Sequence, residues 1–251
     1  MSTYESMIND TNYRRYGVAI LRLLEHYPSI QGEGPRTGIP TQFVRFAGCN
    51  LRCAGWPCDT PYAIFPKLYR GEQQSVSPAS LYADIAKMSG ETGAEDVCLT
   101  GGEPMLQSAE AIDELLEVLA FYHHSVTMFS NGTLPYTDRV VEGCQVIMDW
   151  KLPGSGEKMD DPNRLENYQA LREAGGHVIK FTCLDEGDLM HAMRLYREHD
   201  MQNFGLVYCG PVWERSLTSA EIVSFILHNN LPWRLNVQLH KYVWEPDARR
   251  T

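Results

Sequence analysis

The sequence predicts an α/β fold, a mostly parallel sheet covered by helices and either open or closed into a full or partial barrel. Three observations carry this. Short β-branched and aromatic runs alternate with amphipathic stretches at helical spacing. Such alternation demands crossover connections, which join parallel strands. A chain of 251 residues, 43% hydrophobic and 22% charged, has the composition of a globular protein, and one of this length buries roughly 70 to 75% of its unfolded surface without disulfides.

The strand candidates, in order, are TQFVRF (41–46), DVCLT (96–100), SVTMF (125–129), QVIMDW (145–150), HVIKF (177–181), FGLVY (204–208) and RLNVQL (234–239). Between most of them lie helix candidates at 108–124, 163–175, 186–199 and 216–230. Ser108 is placed to cap the first, and Thr218 with Glu221 has capping-box spacing at the last. The amino terminus, the stretch around Pro66 to Pro78, residues 154–162 and the tail after Trp244 read as loose segments. With no repeat or long linker, the expectation is a single domain over 1–251 with a short N-terminal extension, 1–16.

Lys and Arg number 22 against 32 Asp and Glu, a formal charge of -10. That balance argues against direct nucleic-acid binding and against an anionic membrane surface. No apolar run approaches the roughly 18 residues of a membrane span, and the opening MSTYESMINDTNYRRYG lacks a signal-peptide layout, so a cytoplasmic location is expected. Seven cysteines are odd in number: three crowd into 49–58, whereas Cys98, Cys144, Cys183 and Cys209 stand alone. In a reducing compartment such crowding suggests metal.

FAGCNLRCAGWPCDTPYA places Cys49, Cys53 and Cys58 after a strand with gaps of three and four residues. Thiolates select zinc, copper(I) or iron-sulfur clusters. Three are suggestive, since structural zinc takes four closed ligands, whereas a cubane held by three cysteines keeps one iron open. A zinc site completed by Cys98 or His240, or three buried thiols, is the alternative on the trio alone. LTGGEP (99–104) ends the next strand; its glycines permit close backbone approach, and Glu103 offers an acceptor for an ammonium group. Alone it reads as a tight turn with Pro104 at the first helical position.

With both segments in view, the chain resembles the radical S-adenosylmethionine superfamily and, within it, the 7-carboxy-7-deazaguanine synthase family. SIQGEGPRTGIPTQFVRFAGCNLRC (29–53), CDTPYA (58–63), SNGT (130–133), DWKLPGSG (149–156) and NVQLHKYVW (236–244) extend the resemblance through most of the chain. Two departures stand out. AGWP lengthens the second cysteine gap to four, where Gly55 and Pro57 allow an outward bulge and Trp56 an aromatic cover; and Phe129 precedes SNGT where relatives often carry an acidic residue.

The resemblance implies a partial (β/α) barrel of the radical S-adenosylmethionine type. It implies a 4Fe-4S cluster on Cys49, Cys53 and Cys58 whose open iron chelates S-adenosylmethionine, and Mg²⁺ on Thr60. Gly102, Glu103, Ser130 and Lys151 would line the S-adenosylmethionine site. Ile30, Gln31, Gly32, Glu33, Arg45, Thr100 and His240 would bind the substrate, 6-carboxytetrahydropterin. Glu33 would accept two ring donors. Arg45, a cation within an apolar strand, should face a carboxylate, either the substrate's or an internal partner. Cys98 points from a core strand, and Cys144, Cys183 and Cys209 read as small buried hydrophobes. The reaction implied is a radical-initiated ring contraction with loss of ammonia, supplied with electrons by a donor such as flavodoxin or ferredoxin, in a homodimer. Two other functions share part of the pattern: an activase that installs a glycyl radical on a partner, and a non-enzymatic zinc-binding module. The activase gives no reason for SIQGEG and QLHKY, and the zinc module predicts a colourless protein that holds zinc after anaerobic purification.

Overall fold

The computed structural model describes residues 19–56, 58–65, 72–245 and 249. The expected extension at 1–16 and Pro57 lie outside the described residues. All described strands belong to one nine-stranded sheet. They are β1 (Leu21–Ile30), β2 (Pro40–Phe46), β3 (Gln74–Val76), β4 (Asp96–Gly101), β5 (Ser125–Ser130), β6 (Gln145–Asp149), β7 (Val178–Cys183), β8 (Leu206–Pro211) and β9 (Arg234–Leu235). Their order is β3-β1-β2-β4-β5-β6-β7-β8-β9. From β2 to β9 every pairing is parallel, while β1 runs antiparallel to β2 and β3 antiparallel to β1. The sheet is open, an α/β arrangement as expected.

The crossovers carry α2 (Pro78–Thr92), α3 (Ala109–Phe121), α4 (Asp138–Gly143), α5 (Pro162–Ala174), α6 (Glu186–Glu198) and α7 (Ser219–His228), and short helices α1 (Pro61–Ile64) and α8 (His240–Val243) follow the cysteine loop and close the chain's last described segment. Side-chain caps begin each long crossover helix: Ser77, Ser108, Asp161, Asp185 and Thr218, the last in a full capping box with Glu221. Each such cap contributes about 1 kcal/mol. Ser108 and Thr218 act as the sequence predicted.

Strand alternation assigns two faces to the sheet. Val44, Phe46, Val97, Leu99, Met128, Val146, Met148, Ile179, Phe181, Val207 and Cys209 pack with the helices in the main apolar core. Phe43, Arg45, Cys98, Thr100, Phe129, Asp149, Lys180, Thr182 and Gly210 face the opposite side and line a cavity of about 810 Å³. The lower part of that inner face is apolar, where Ile147, Val178 and Tyr208 pack together. Polar groups therefore gather toward the carboxyl ends of the strands, where α/β folds hold their sites.

Several sequence expectations need correction. β1 and β3 were not anticipated, nor were α2 and α4; β3 and the start of α2 fall at the end of the stretch read as loose around Pro66 to Pro78. The strand expected at 234–239 stops at Leu235. Beyond it the chain leaves the sheet, because the Asn236 side chain turns to accept the Gly34 amide at 3.2 Å and Leu239 N–H donates to Gly32 C=O at 3.0 Å. His240 then opens α8 instead of extending a strand.

Candidate active site

The cysteine loop leaves β2 and returns through α1. Cys49, Cys53 and Cys58 all line the cavity. Burial pushes the Cys49 and Cys53 thiols up to about 11, so loading a metal there must displace protons. Leu51 N–H points at Cys49 Sγ and Thr60 N–H at Cys58 Sγ, each at 3.4 Å. Cys53 adopts a left-handed φ of 46°. The amides of Arg52 and Cys53 both donate to Glu157 Oε1, which holds this strained turn. Among the described residues no three His, Cys, Asp or Glu side chains converge on a single metal ion. Cys49, Cys53 and Cys58 nonetheless share one cavity wall, and thiolates are the donors that an iron-sulfur cluster takes.

The lengthened gap is not a free outward bulge. Gly55 N–H donates to Ser155 C=O at 3.0 Å, and a Cβ on Gly55 would lie 1.9 Å from Gly154 O. Trp56 does turn into the cavity, where Lys151 Nζ sits 5.8 Å from its ring centroid.

The glycines of GGEP serve the chain's own backbone. A Cβ on Gly101 would lie 2.3 Å from Phe46 O, and one on Gly102 would lie 1.9 Å from Gly48 O. Glu103 N–H donates to Gly48 C=O at 2.8 Å, fastening this turn to the cysteine loop. The Glu103 carboxylate is 1% exposed and accepts from Met105 N–H, Ser130 Oγ–H and Asn131 N–H. Burial raises its pKa against these donors. Ser130 is thus committed to Glu103, and Asn131 and Thr133 of SNGT are laced to Asn50 of the cysteine loop. Pro104 begins a single 3-10 turn, Pro104–Leu106. Three loops from adjacent strand ends form one rigid wall.

Across the cavity runs a row of alternating charge. Glu33 pairs with Lys180, Lys180 Nζ lies 4.0 Å from Asp149 Oδ2, and Asp149 Oδ2 accepts from Lys151 Nζ at 2.9 Å. Burial opposes the charge on each lysine, but the neighbouring carboxylates outweigh it and both pKa values rise. Burial likewise opposes ionisation of Asp149, and its two lysines hold its pKa below the ordinary value. Lys180, Asp149 and the pairing of Glu33 were missed, although HVIKF sets a cation in an apolar strand as FVRF sets Arg45, and Asp149 opens DWKLPGSG.

Arg45 faces the cavity with its Nε donating to Glu25 Oε1 at 2.7 Å and its Nη2 to Tyr27 Oη at 3.1 Å. The internal partner, one of the two readings of this cation, is therefore present, and Glu25 was not foreseen. Glu25 also accepts from Tyr62 Oη and Arg249 Nε. Ile30, Gln31, Gly32, Glu33, Thr100 and His240 all line the same cavity. A Cβ on Gly32 would lie 2.3 Å from His240 Nδ1, so glycine there lets the imidazole close against the turn. Thr60 Oγ–H donates to Gly101 C=O at 3.4 Å, near the Cys58 sulfur. Cys98 is fully buried beneath the cavity, and burial pushes its thiol up to about 12. Asp59 pairs with Lys241 at 2.7 Å and with Gln238, tying the cysteine loop to the last described segment.

Residues 30–169 match the model of the 4Fe-4S single cluster domain family. The 7-carboxy-7-deazaguanine synthase of Methanospirillum hungatei is 33% identical over 226 residues, covering 90% of this chain and 86% of that protein. That of Hyperthermus butylicus is 42% identical, covering 90% and 94%. The chain belongs to the 7-carboxy-7-deazaguanine synthase family. A solved structure of QueE from Escherichia coli shares the fold with a TM-score of 0.68 at 23% identity, covering 88% of this chain and 95% of that one. In this member of the 7-carboxy-7-deazaguanine synthase family, every residue singled out from the sequence for cluster, cofactor or substrate lies on the wall of one cavity. No helix among the described residues is long and apolar enough to cross a membrane.

Proposed function

We propose that the protein is a radical S-adenosylmethionine lyase converting 6-carboxy-5,6,7,8-tetrahydropterin into 7-carboxy-7-deazaguanine with release of ammonia. The observation that carries this reading is the match to synthases of that name along about nine-tenths of the chain. The meeting of SIQGEG, the cysteine loop and GGEP around one cavity supports it. The cluster would be held by Cys49, Cys53 and Cys58. When bound, it and S-adenosylmethionine supply the one-electron chemistry that opens the reaction by removing a hydrogen atom from the substrate.

The remaining work belongs to the chain. Gly102, Glu103, Ser130 and Lys151 would orient the S-adenosylmethionine, with the buried Glu103 carboxylate facing its ammonium and Lys151 its carboxylate. Thr60 offers a hydroxyl oxygen to Mg²⁺, a cation that favours oxygen donors. Ile30, Gln31, Gly32 and Glu33 would receive the pyrimidine edge, Arg45 the substrate carboxylate, and Thr100 and His240 the sides of the ring. Tyr27, Phe43 and Phe129 supply apolar walls that exclude water from a reactive species. Arg45 enters already oriented by Glu25 and Tyr27, which lowers the entropy cost of holding a carboxylate. We further infer a cytoplasmic homodimer supplied by a flavodoxin- or ferredoxin-type donor.

Anaerobic incubation of reconstituted protein with 6-carboxytetrahydropterin, S-adenosylmethionine, Mg²⁺ and a reductant tests the reading. The expected outcome is a product of the mass of 7-carboxy-7-deazaguanine with S-adenosylmethionine not consumed. Stoichiometric loss of S-adenosylmethionine with no deazapurine overturns it.

A further inference from the structure

Among the cations that line the cavity, Lys180 is one that the sequence motifs do not account for. Lys180 extends from the inner face of β7, between Ile179 and Phe181 of the helix-facing core, and its side chain is 12% exposed. Its ammonium has three N–H donors. Glu33 takes one, and Asp149 Oδ2, at 4.0 Å, is too distant for a hydrogen bond. The Phe129 ring, 5.7 Å away, stabilises the charge without accepting a directed bond. Donor capacity therefore remains beside Glu33 on the cavity wall. Close by, Asp149 Oδ1 and Thr182 Oγ1 are buried with no hydrogen-bond partner. Buried polar atoms of this kind cost free energy unless something pairs with them, and both residues line this cavity.

We propose that Lys180 is the specificity-determining residue of the substrate site, donating a hydrogen bond to the ring carbonyl of the pterin and selecting 4-oxo over 4-amino pteridines. The assignment rests on the pterin reading above. A 2-amino-4-oxo pyrimidine edge presents two donors, the exocyclic amine and the ring N–H, followed by a carbonyl acceptor. The Glu33 carboxylate with the Lys180 ammonium fastened beside it presents two acceptors followed by a donor. The ion pair fixes their spacing, so the pair reads the edge as one unit. Replacing the carbonyl by an amine sets a donor against the ammonium and, because the ring N–H is lost with it, a lone pair against Glu33, so the share that belongs to Lys180 is the part of the preference that substituting Lys180 removes. A charge-assisted hydrogen bond lost in a dry site weakens binding by roughly 10 to 100-fold.

The test uses cluster-loaded protein and two stable probes, pterin-6-carboxylate and 2,4-diaminopteridine-6-carboxylate, whose fluorescence reports binding. The wild type is expected to prefer the oxo probe by roughly 10 to 100-fold. Lys180→Met should shrink the preference roughly tenfold by weakening the oxo probe, the remainder being that of Glu33, and Lys180→Arg, which keeps a donor, should retain the full preference. Equal binding of both probes by the wild type overturns the assignment, as does a Lys180→Met protein that keeps the wild-type ratio. Because Lys180→Met strands two carboxylates and can impair folding, Lys180→Gln, whose amide can stay paired with Glu33 and can also accept from an amine, is a second variant in which the preference should fall. A wild type that binds neither probe overturns the pterin reading together with this one; binding with an unaltered ratio in Lys180→Met and Lys180→Gln overturns this one alone.

Discussion

Along β7, Ile179 and Phe181 face the helices, while Lys180 and Thr182, their neighbours in sequence, face the cavity. The same contrast recurs on β6, where Met148 packs in the core and Asp149 joins the row of charge. What differs between the two faces is how each group is satisfied. On the helix side, fit is a matter of volume, and any apolar group of the right size contributes. On the cavity side, each charge depends on the next, from Glu33 through Lys180 and Asp149 to Lys151, so a change at one leaves another exposed to a low-dielectric wall. Stability should reside mainly in the first face and chemistry in the second, and substitutions can break or sharpen that separation.

The largest effect is expected at the cysteine loop. Cys58 lies outside the main core, so Cys58→Ala should abolish turnover and lower the iron bound per chain. The metal-free variant should melt within about 2 °C of the metal-free wild type, as surface changes usually do. Unchanged iron and activity would remove Cys58 from the ligand set, whereas a large fall in metal-free stability would show that this loop is part of the packing.

Phe181→Ala is the counterpart on the other face. Phe181 is fully buried, with its ring 5.7 Å from that of Trp233. Truncation should cost about 3 to 5 kcal/mol in urea unfolding. Below the transition, the folded fraction should bind the pterin probe as the wild type does. A stable variant with weakened binding would mean that the two faces are coupled through the sheet.

How much of this was legible beforehand follows the same division. The β-branched and aromatic runs at 41–46, 96–100, 125–129 and 145–150 and the helical stretches that alternate with such runs announced the parallel sheet. β1 was missed because LRLLEHYPSI breaks the alternation: Glu25 is buried only by virtue of Arg45, Tyr62 and Arg249, partners that are remote in sequence. α2 was obscured by the loose-looking polar stretch before it, although Leu81 and Ile85 carry helical spacing and Ser77 caps it. RLNVQL has a strand's composition, yet Gly210 and Asn236 bring the two backbones close and turn the chain across the cavity mouth. The cysteines, GGEP and His240 were legible as parts of spaced motifs. Lys180 was not, and Asp149, though it opens DWKLPGSG, was given no role, since their pairing arises only when β6 and β7 lie side by side.

The smallest effect, and the sharpest test of the separation, is expected at Thr182. Its hydroxyl is buried on the cavity wall without a partner, a condition that costs about 1 to 3 kcal/mol. Valine keeps nearly the same shape and removes the polar atom. In the ligand-free protein Thr182→Val should therefore raise stability by about 1 kcal/mol, a rise of roughly 2 to 4 °C in melting temperature. The same change removes an acceptor from the site, so affinity for the pterin probe should fall severalfold. Opposite signs in the two measurements are what a residue placed for a ligand, at the expense of the fold, must give. A valine variant that is less stable without ligand would mean that the hydroxyl already has a partner in the folded chain, and the cavity face would then be contributing to stability as the helix face does.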